Sequence, residues 1–429
     1  MLAGAVAVWI FVRYPDVLVS NVLNPDIKGH VDFETFYRSS VALLHGTDTY
    51  RTGALLPNLN PPLLALLLAP FGLLPALSAY WAFTVLSLLA MTAAVVLVAR
   101  ELRLAAGWIL LGVGTLWASS PLHGTLVLGQ IYGLLLFGLA FAWLAERKGH
   151  PLLGAVVLGV VVALKPSLGP LLLVALVQRQ PASLWAGIAS AAVATTIGVV
   201  AAGPSSALEW VWLASGTPAP EVDANASLPG LVARFGGPGV IGWLLTVLMV
   251  AGTLWWIGRA TSQEMIAIGP VSMDGTASTT RPVVTGSVRP ADAAVFAVTV
   301  GCLLAAPIAW LNYTVLLWPG ALMLLRAGWW RVGVPLLVLP VIPVAWGNLW
   351  LADPHAGISL LGRSLYCLVL LGYWVALAAF VASGSSPSGS PSSQSTPLGG
   401  SRRTAEAGRA CDGSSTASTA PRLPTPEPP

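Results

Sequence analysis

The sequence predicts an all-α polytopic integral membrane protein, and three observations predict it. Of 429 residues, 56% are hydrophobic and only 9% charged, against about 25% charged in an ordinary soluble domain. Apolar runs approaching the roughly 20 residues that a span requires recur from one end of the chain to residue 382. Eighteen Trp and 34 Pro accompany them; Trp gathers at bilayer interfaces, and spanning helices tolerate Pro where neighbours satisfy the freed carbonyls. Length alone would suggest two or three soluble domains, which this composition excludes. The net charge of +4 is small and scattered, so a nucleic-acid surface is excluded as well. Cys302, Cys367 and Cys411 have neither metal-ligand spacing nor the pattern of a disulfide framework.

Taken in order, the apolar runs are Leu2–Val12, Ser78–Ala99, Ala105–Ser119, Ile131–Ala145, Leu152–Val177, Leu184–Ala202, Val240–Ile257, Ala293–Leu325, Val332–Trp350 and Ile358–Ala382. The first begins at the initiator Met with no small-residue cleavage site behind it, so a retained helix is expected. Leu152–Val177 is interrupted by Lys165-Pro166 and Gly169-Pro170, and Ala293–Leu325 is broken at Pro307. Each can fold back as a hairpin, giving about 10–13 spans. No fixed-period repeat is present, which argues against the inverted-repeat transporters.

Lys and Arg set the orientation. With both interrupted runs as hairpins and Pro62–Pro75 at the interface, 14 of the 21 basic residues share one face, the expected cytoplasmic side. The loop 13–61, the loop 203–239 and residues 352–357 then face outward. Residues 259–290 read as a polar cytoplasmic linker. Residues 384–429, rich in Ser, Pro and Gly, cannot bury a core and read as a disordered cytoplasmic tail behind a membrane domain of residues 1–383.

Chemistry concentrates in the first outward loop. Five of the 17 acids (Asp16, Asp26, Asp32, Glu34 and Asp48) lie there. Phe33, Phe36, Tyr37, Val41 and Leu44 recur at helical spacing, predicting a short amphipathic helix along the membrane surface. Asp32 stands where an N-cap would and Gly46 where a helix would stop. The pattern leaves two readings of Asp32 open, a helix cap or a general base held at the membrane surface. Lys165, inside an apolar run beside a helix-breaking Pro, is either a counter-ion for a lipid phosphate or a Lys that snorkels to the headgroups. Gly129-Gln130 puts polar groups between two spans. Asn225-Ala-Ser227 with Arg234 does so in the other large outward loop, and is formally a glycosylation sequon. Asn312-Tyr313 sits in the long broken run. There is no phosphate-binding glycine loop, His/Cys metal spacing, Gly-x-Ser-x-Gly or Asp-x-Asp.

The string Val31-Asp32-Phe33, Phe36-Tyr37-Arg38, Leu44-His-Gly46-Thr-Asp48-Thr-Tyr50 resembles the signature of glycosyltransferase family 87, the polyprenyl-phosphate-mannose-dependent mannosyltransferases. Asn60-Pro61-Pro62, Gly129-Gln130, Ala163-Leu-Lys165-Pro166, Asn225-Ala-Ser227 and Ala306-Pro307-Ile-Ala-Trp310 follow in the family's order, through to the last span. The resemblance implies a C-type glycosyltransferase bundle with an outward active site. It also implies a polyprenyl-phosphate sugar donor, a lipid or glycan acceptor, and inverting transfer without a metal or other cofactor. The family's catalytic acid maps onto Asp32, with Glu34 the runner-up; Tyr37, Arg38, Gln130, Lys165, Asn225, Arg234 and Asn312 are the expected substrate contacts. Many relatives carry His near the position of Asn312-Tyr313, and this departure leaves the sugar and the acceptor open. The competing reading is a flippase for the same lipid-linked sugar, without transfer chemistry; a scaffold that has lost activity is a third.

Overall fold

Proline sets most of the helix starts. Pro62, Pro121, Pro151, Pro181, Pro229, Pro290 and Pro319 each occupy the first or second position of a helix, where a missing N–H costs nothing and the fixed φ is already helical. The structure is a computed structural model describing residues 21–216, 219–222, 225–268, 288–341 and 364–383. The expected first span, the tail and residues 269–287 and 342–363 lie outside those residues.

The described α-helices of six residues or more are, in order, α1 (Val31–Leu44), α2 (Pro62–Leu67), α3 (Ala76–Glu101), α4 (Ala106–Trp117), α5 (Ser120–Leu128), α6 (Tyr132–Arg147), α7 (Pro151–Leu164) and α8 (Leu172–Val177). There follow α9 (Pro181–Ala202), α10 (Pro204–Gly216), α11 (Leu228–Arg234), α12 (Gly239–Ile268), α13 (Pro290–Ala305), α14 (Trp318–Arg326), α15 (Trp330–Val338) and α16 (Leu365–Ser383). Among the described residues there is no strand, only an isolated bridge between Asn225 and Trp310. The chain is an all-α polytopic membrane protein. Four described helices are long and apolar enough to cross a bilayer: α3, α9, residues 239–260 of α12, and α16. Val200, Trp212, Trp243 and Leu248 point outward, where a soluble protein would place charge. α12 continues to Ile268, so the stretch expected as a linker from residue 259 begins as helix. The reason is local: residues 261–268 contain no helix breaker, and Gly269-Pro270 supplies the first.

Both interrupted runs fold back on themselves. After α7, Lys165 leaves the helix at φ −140°, a 3-10 segment covers Pro166–Leu171, and α8 returns. Gly187 of α9 meets Ala155 of α7 and Leu172 near the start of α8, so both legs flank the same level of α9. The second run is built alike: α13 ends at Ala305, a 3-10 segment covers Leu311–Leu317, and α14 returns. Gly320 of α14 lies against Phe296 of α13, again placing two legs side by side. Non-helical backbone at membrane depth survives only where it is buried in protein or lines a polar cavity. Both tips do the latter.

A charge cluster ties the opposite end. Arg147, whose side chain has no exposure, pairs with Asp292 at 2.5 Å and with Glu101 at 3.2 Å. Trp143 Nε1 donates to Asp292 at 3.2 Å, and Arg289 pairs with it at 3.0 Å. The last turns of α3 and α6 are thereby joined to the first turn of α13.

Candidate active site

The loop that carries Asp32 is pinned before it can present anything. His30 is fully buried, stacks on Tyr80 with ring centroids 3.6 Å apart, and places Nδ1 at 2.6 Å from the Val127 carbonyl. This clamps the start of α1 onto α3 and α5. Phe33 and Phe36 then enter the core, as the helical spacing requires. His30, not Asp32, is the N-cap residue, and no side chain caps the helix. Asp32 lies inside the first turn, where its carboxylate still faces the positive end of the helix dipole. The expected cap is thus corrected: its carboxylate is committed elsewhere. At the far end Gly46 adopts φ +66°, the left-handed stop that the sequence suggests. Beyond it, Ser39 donates to the Thr49 carbonyl (2.7 Å), Tyr50 to that of Asn60 (2.8 Å) and Trp210 to that of Leu59 (3.1 Å), holding 49–60 as a roof.

Under that roof lies a cavity of about 560 Å³. α1 contributes Asp32, Thr35 and Phe36; the two hairpin tips contribute Lys165 to Ser167 and Ala306 to Ile308 with Trp310 and Tyr313; Gln130 closes one side and Trp210 another. Gln130 Nε2 donates to Asp32 Oδ2 at 2.6 Å. Gly129 makes this contact possible. Its φ is +71°, and a Cβ there would stand 2.3 Å from Cβ of Phe33, so only glycine lets the turn press against α1 next to Asp32. Burial pushes the Asp32 carboxyl up to about 6, while the Gln130 hydrogen bond and the charge of Lys165 draw it back down. The Lys165 ammonium lies 5.1 Å from the Tyr313 ring centroid and 5.7 Å from that of Tyr132. Among the described residues no carboxylate comes within 4.0 Å of it. The cavity therefore holds a carboxylate with one oxygen engaged by an amide, and a cation with no ion pair. Among the described residues no three His, Cys, Asp or Glu side chains converge as a metal site needs.

The remaining expected contacts fall elsewhere. Glu34 pairs with Arg38 at 2.8 Å, and with Tyr37 they line a separate outer groove of about 620 Å³ across α1. Helical geometry explains the split, because two residues along α1 from Asp32 point away from it. Tyr37 donates to the Leu74 carbonyl at 2.8 Å. Asn225 is fully buried and acts as a latch. Its Nδ2 donates to the carbonyls of Pro220 (3.1 Å) and Pro307 (3.2 Å), and its Oδ1 accepts from the amide of Ala309 (3.0 Å). It thereby shapes the 306–310 wall of the cavity without lining it, and the sequon is closed to glycosylation in the folded chain. Arg234 donates to the carbonyls of Asn225 (2.7 Å) and Val222 (3.0 Å), supporting that latch. Asn312 is buried against Gly124, and its neighbour Tyr313 reaches the cavity instead. Adjacent residues of a 3-10 turn point about 120° apart, so only one of the pair can face inward. Trp210 in the cavity wall and Tyr132 beside Lys165 are the residues that sequence reasoning passes over. Their signal was present for Tyr132, which directly follows Gly129-Gln130-Ile131.

The model of glycosyltransferase family 87 matches residues 58–268. Over those residues, just under half of its length, the chain is similar to glycosyltransferase family 87. An α-(1→3)-arabinofuranosyltransferase of Mycobacterium tuberculosis (strain CDC 1551 / Oshkosh) is 33% identical over 184 residues, covering 40% of this chain and 41% of that protein. The α-(1→3)-arabinofuranosyltransferase of Corynebacterium glutamicum is 31% identical over 219 residues, 48% of this chain and 51% of its own. The polyprenol-phosphate-mannose-dependent α-(1-2)-phosphatidylinositol mannoside mannosyltransferase of M. tuberculosis (strain H37Rv) is 25% identical over 396 residues, 80% of this chain and 85% of that one. The chain thus spans only about half or less of the arabinofuranosyltransferases it matches. No solved structure matches it significantly. The family 87 match includes Gln130, Lys165, Asn225 and Arg234, whereas Asp32 precedes it. The place of Asp32 in the site therefore rests on the hydrogen bond from Gln130.

Proposed function

We propose that the chain is a membrane glycosyltransferase that moves a sugar from a polyprenyl phosphate to a hydroxyl of a lipid or glycan acceptor on the extracytoplasmic face of the plasma membrane. The observation that carries the reading is one cavity lined by both Asp32, held by Gln130, and Lys165. An acceptor hydroxyl is a poor nucleophile until a base within hydrogen-bond reach takes its proton. Asp32 Oδ1, left free when Gln130 engages Oδ2, takes it as the acceptor oxygen bonds to the anomeric carbon. The bond from that carbon to the phosphate oxygen breaks, and its electron pair leaves with the polyprenyl phosphate. Lys165 meets the charge of that leaving group. Attack from the face opposite the phosphate inverts the anomeric centre. Lys165 is then a phosphate ligand in a built cavity, and snorkelling is unnecessary to explain it.

Mannose is the sugar we put first, because the relative aligned over the largest share of both chains is named for polyprenol-phosphate mannose. The relatives of higher identity are arabinofuranosyltransferases, so a pentofuranose is the second candidate. The test is purified protein in nanodiscs, offered polyprenyl-phosphate mannose and polyprenyl-phosphate arabinofuranose with a lipid or glycan acceptor, and scored by mass spectrometry. Released polyprenyl phosphate with a new glycosidic product is expected, and Asp32→Ala should abolish both. A lipid-linked sugar that crosses the bilayer unchanged would replace transfer by transport.

A further inference from the structure

We propose that the groove between the end of α8 and α12 binds an anionic phospholipid, with Arg179 and Arg259 holding its headgroup. The site makes no use of the cavity lined by Asp32 and Lys165. Gly258 of α12 packs on Val177, the last residue of α8, and a Cβ on that glycine would lie 3.6 Å from Cβ of Val177. Arg259 directly follows Gly258, and Arg179 stands two residues beyond Val177. This one contact therefore brings both arginines to a shared groove of about 510 Å³, walled by Leu176, Val177, Leu254 and Trp255. No acid lines it. Among the described residues neither arginine has a carboxylate within 4.0 Å.

Helix lengths place the groove at headgroup depth. The spanning segment Gly239–Ala260 of α12 has 22 residues, a rise of about 33 Å against a hydrocarbon core of about 30 Å. Arg259 is the penultimate residue of that span, and Arg179 lies two residues before Pro181, where the spanning helix α9 begins. Both cations thus stand where two spans leave the hydrocarbon, beside the exposed Leu176 and Trp255. Nor is Arg179 needed to end its helix. The amides of Gln178, Arg179 and Gln180 already donate to the carbonyls of Val174, Leu176 and Ala175 at 2.9, 3.0 and 2.8 Å. Arg179 has φ +58°, in a left-handed stop that glycine ordinarily fills.

Two guanidinium forks match the oxygens of a phosphodiester, and the apolar wall takes the first part of an acyl chain. A zwitterionic lipid brings its own ammonium, which a groove with two cations and no acid disfavours. A soluble phosphate leaves the apolar wall unused. Basic pockets between spanning helices take anionic lipid headgroups on this same logic.

The test uses the full chain in nanodiscs containing equal phosphatidylglycerol and phosphatidylcholine, with retained lipid counted by native mass spectrometry. The wild type should retain one phosphatidylglycerol, preferred by about 30-fold, or about fivefold for each arginine. Arg179→Gly and Arg259→Gln should each lower the preference about fivefold, and the double variant should abolish it. Arg179→Gly also relieves the left-handed residue, so its loss of lipid cannot be put down to a failure to fold. Arg331 is the control, an exposed arginine 5.3 Å from the Trp330 ring centroid and outside the groove. Arg331→Gln should leave retention unchanged, and glycerophosphoglycerol, the headgroup without its chains, should not displace the lipid. Equal retention of the two lipids by the wild type would overturn the site. So would a loss in Arg331→Gln as large as in Arg179→Gly, or displacement by the soluble headgroup. The readout involves no sugar transfer, so its failure leaves the proposed function where it stood.

Discussion

Under the proposed function, Asp32→Asn should abolish transfer and stabilise the protein, and both effects should grow as pH rises. The side chain keeps its shape and loses only its ability to ionise. Moving a carboxyl from its ordinary 3.8 to about 6 corresponds to about 3 kcal/mol at pH well above both values. Asp32 keeps part of its exposure, which reduces the expected effect to about 1–2 kcal/mol. The sign follows from the direction. A folded-state value above the unfolded one means that the folded chain holds its proton more tightly, so this group's contribution is complete below 3.8 and is lost as pH rises through about 6. The Asn variant has nothing to lose. Thermal unfolding in nanodiscs should therefore give similar midpoints for the two proteins near pH 4, and a higher midpoint for Asp32→Asn at about pH 8.

Activity runs the other way, because the base must be ionised. Wild-type kcat/KM should rise with pH along a limb centred near 6, and Asp32→Asn should lack that limb and lie about 10²- to 10⁴-fold below the wild type at about pH 8. Retained transfer would refute the assignment of the base. A stability difference that stays constant from about pH 4 to 8 would refute the electrostatic account even if activity were lost.

Three further outcomes are expected. Gln130→Leu deletes the donor to Asp32 Oδ2, so the acid limb should move to higher pH and kcat should fall more than KM rises; an unmoved limb would separate Gln130 from the base. Asn225→Ala strips the latch on the 306–310 wall and should cost about 2–4 kcal/mol, each orphaned buried group costing about 1–3; an unchanged midpoint would make the latch incidental. Arg147→Ala leaves Asp292 buried without its closest cation and should cost about 3–5 kcal/mol, read as a lower midpoint, while any protein that folds keeps the pH limb of the wild type.

The sequence speaks most clearly where chemistry is scarce. In a chain with 9% charge, Asp32 and Lys165 stand out by type and surroundings, and the structure puts both on one cavity. Lys165-Pro166 and Pro307 mark the breaks because Pro removes a helical donor, and those breaks become the two tips. Direction around a helix axis is harder to read. Glu34, Tyr37 and Arg38 share a segment with Asp32 yet face the other groove, and Asn312 yields its place to Tyr313 because the chain there is 3-10 rather than α. The latch of Asn225 on Pro307 spans 82 residues, and no local pattern encodes such a contact.

The same geometry explains why the site needs broken helices. An unbroken span satisfies its own backbone and presents side chains only around its cylinder, so a cation and a carboxylate on two such spans would meet only across packed faces. A tip can instead turn a Lys and a Tyr end-on toward a surface helix. The cost of the break is limited, because Lys165 N still donates to Val161 at 3.0 Å and its carbonyl accepts from Leu168 at 2.9 Å. Pro307 and Ala309, beyond the last bond of α13, borrow their partners from Asn225, Ser227 and Ala226. Each tip therefore needs a neighbour to complete it, and that neighbour fixes where its functional side chain points. The precision of the cavity derives from these borrowed hydrogen bonds, which is why the loop around Asn225, though remote from Asp32 in sequence, belongs to the same site.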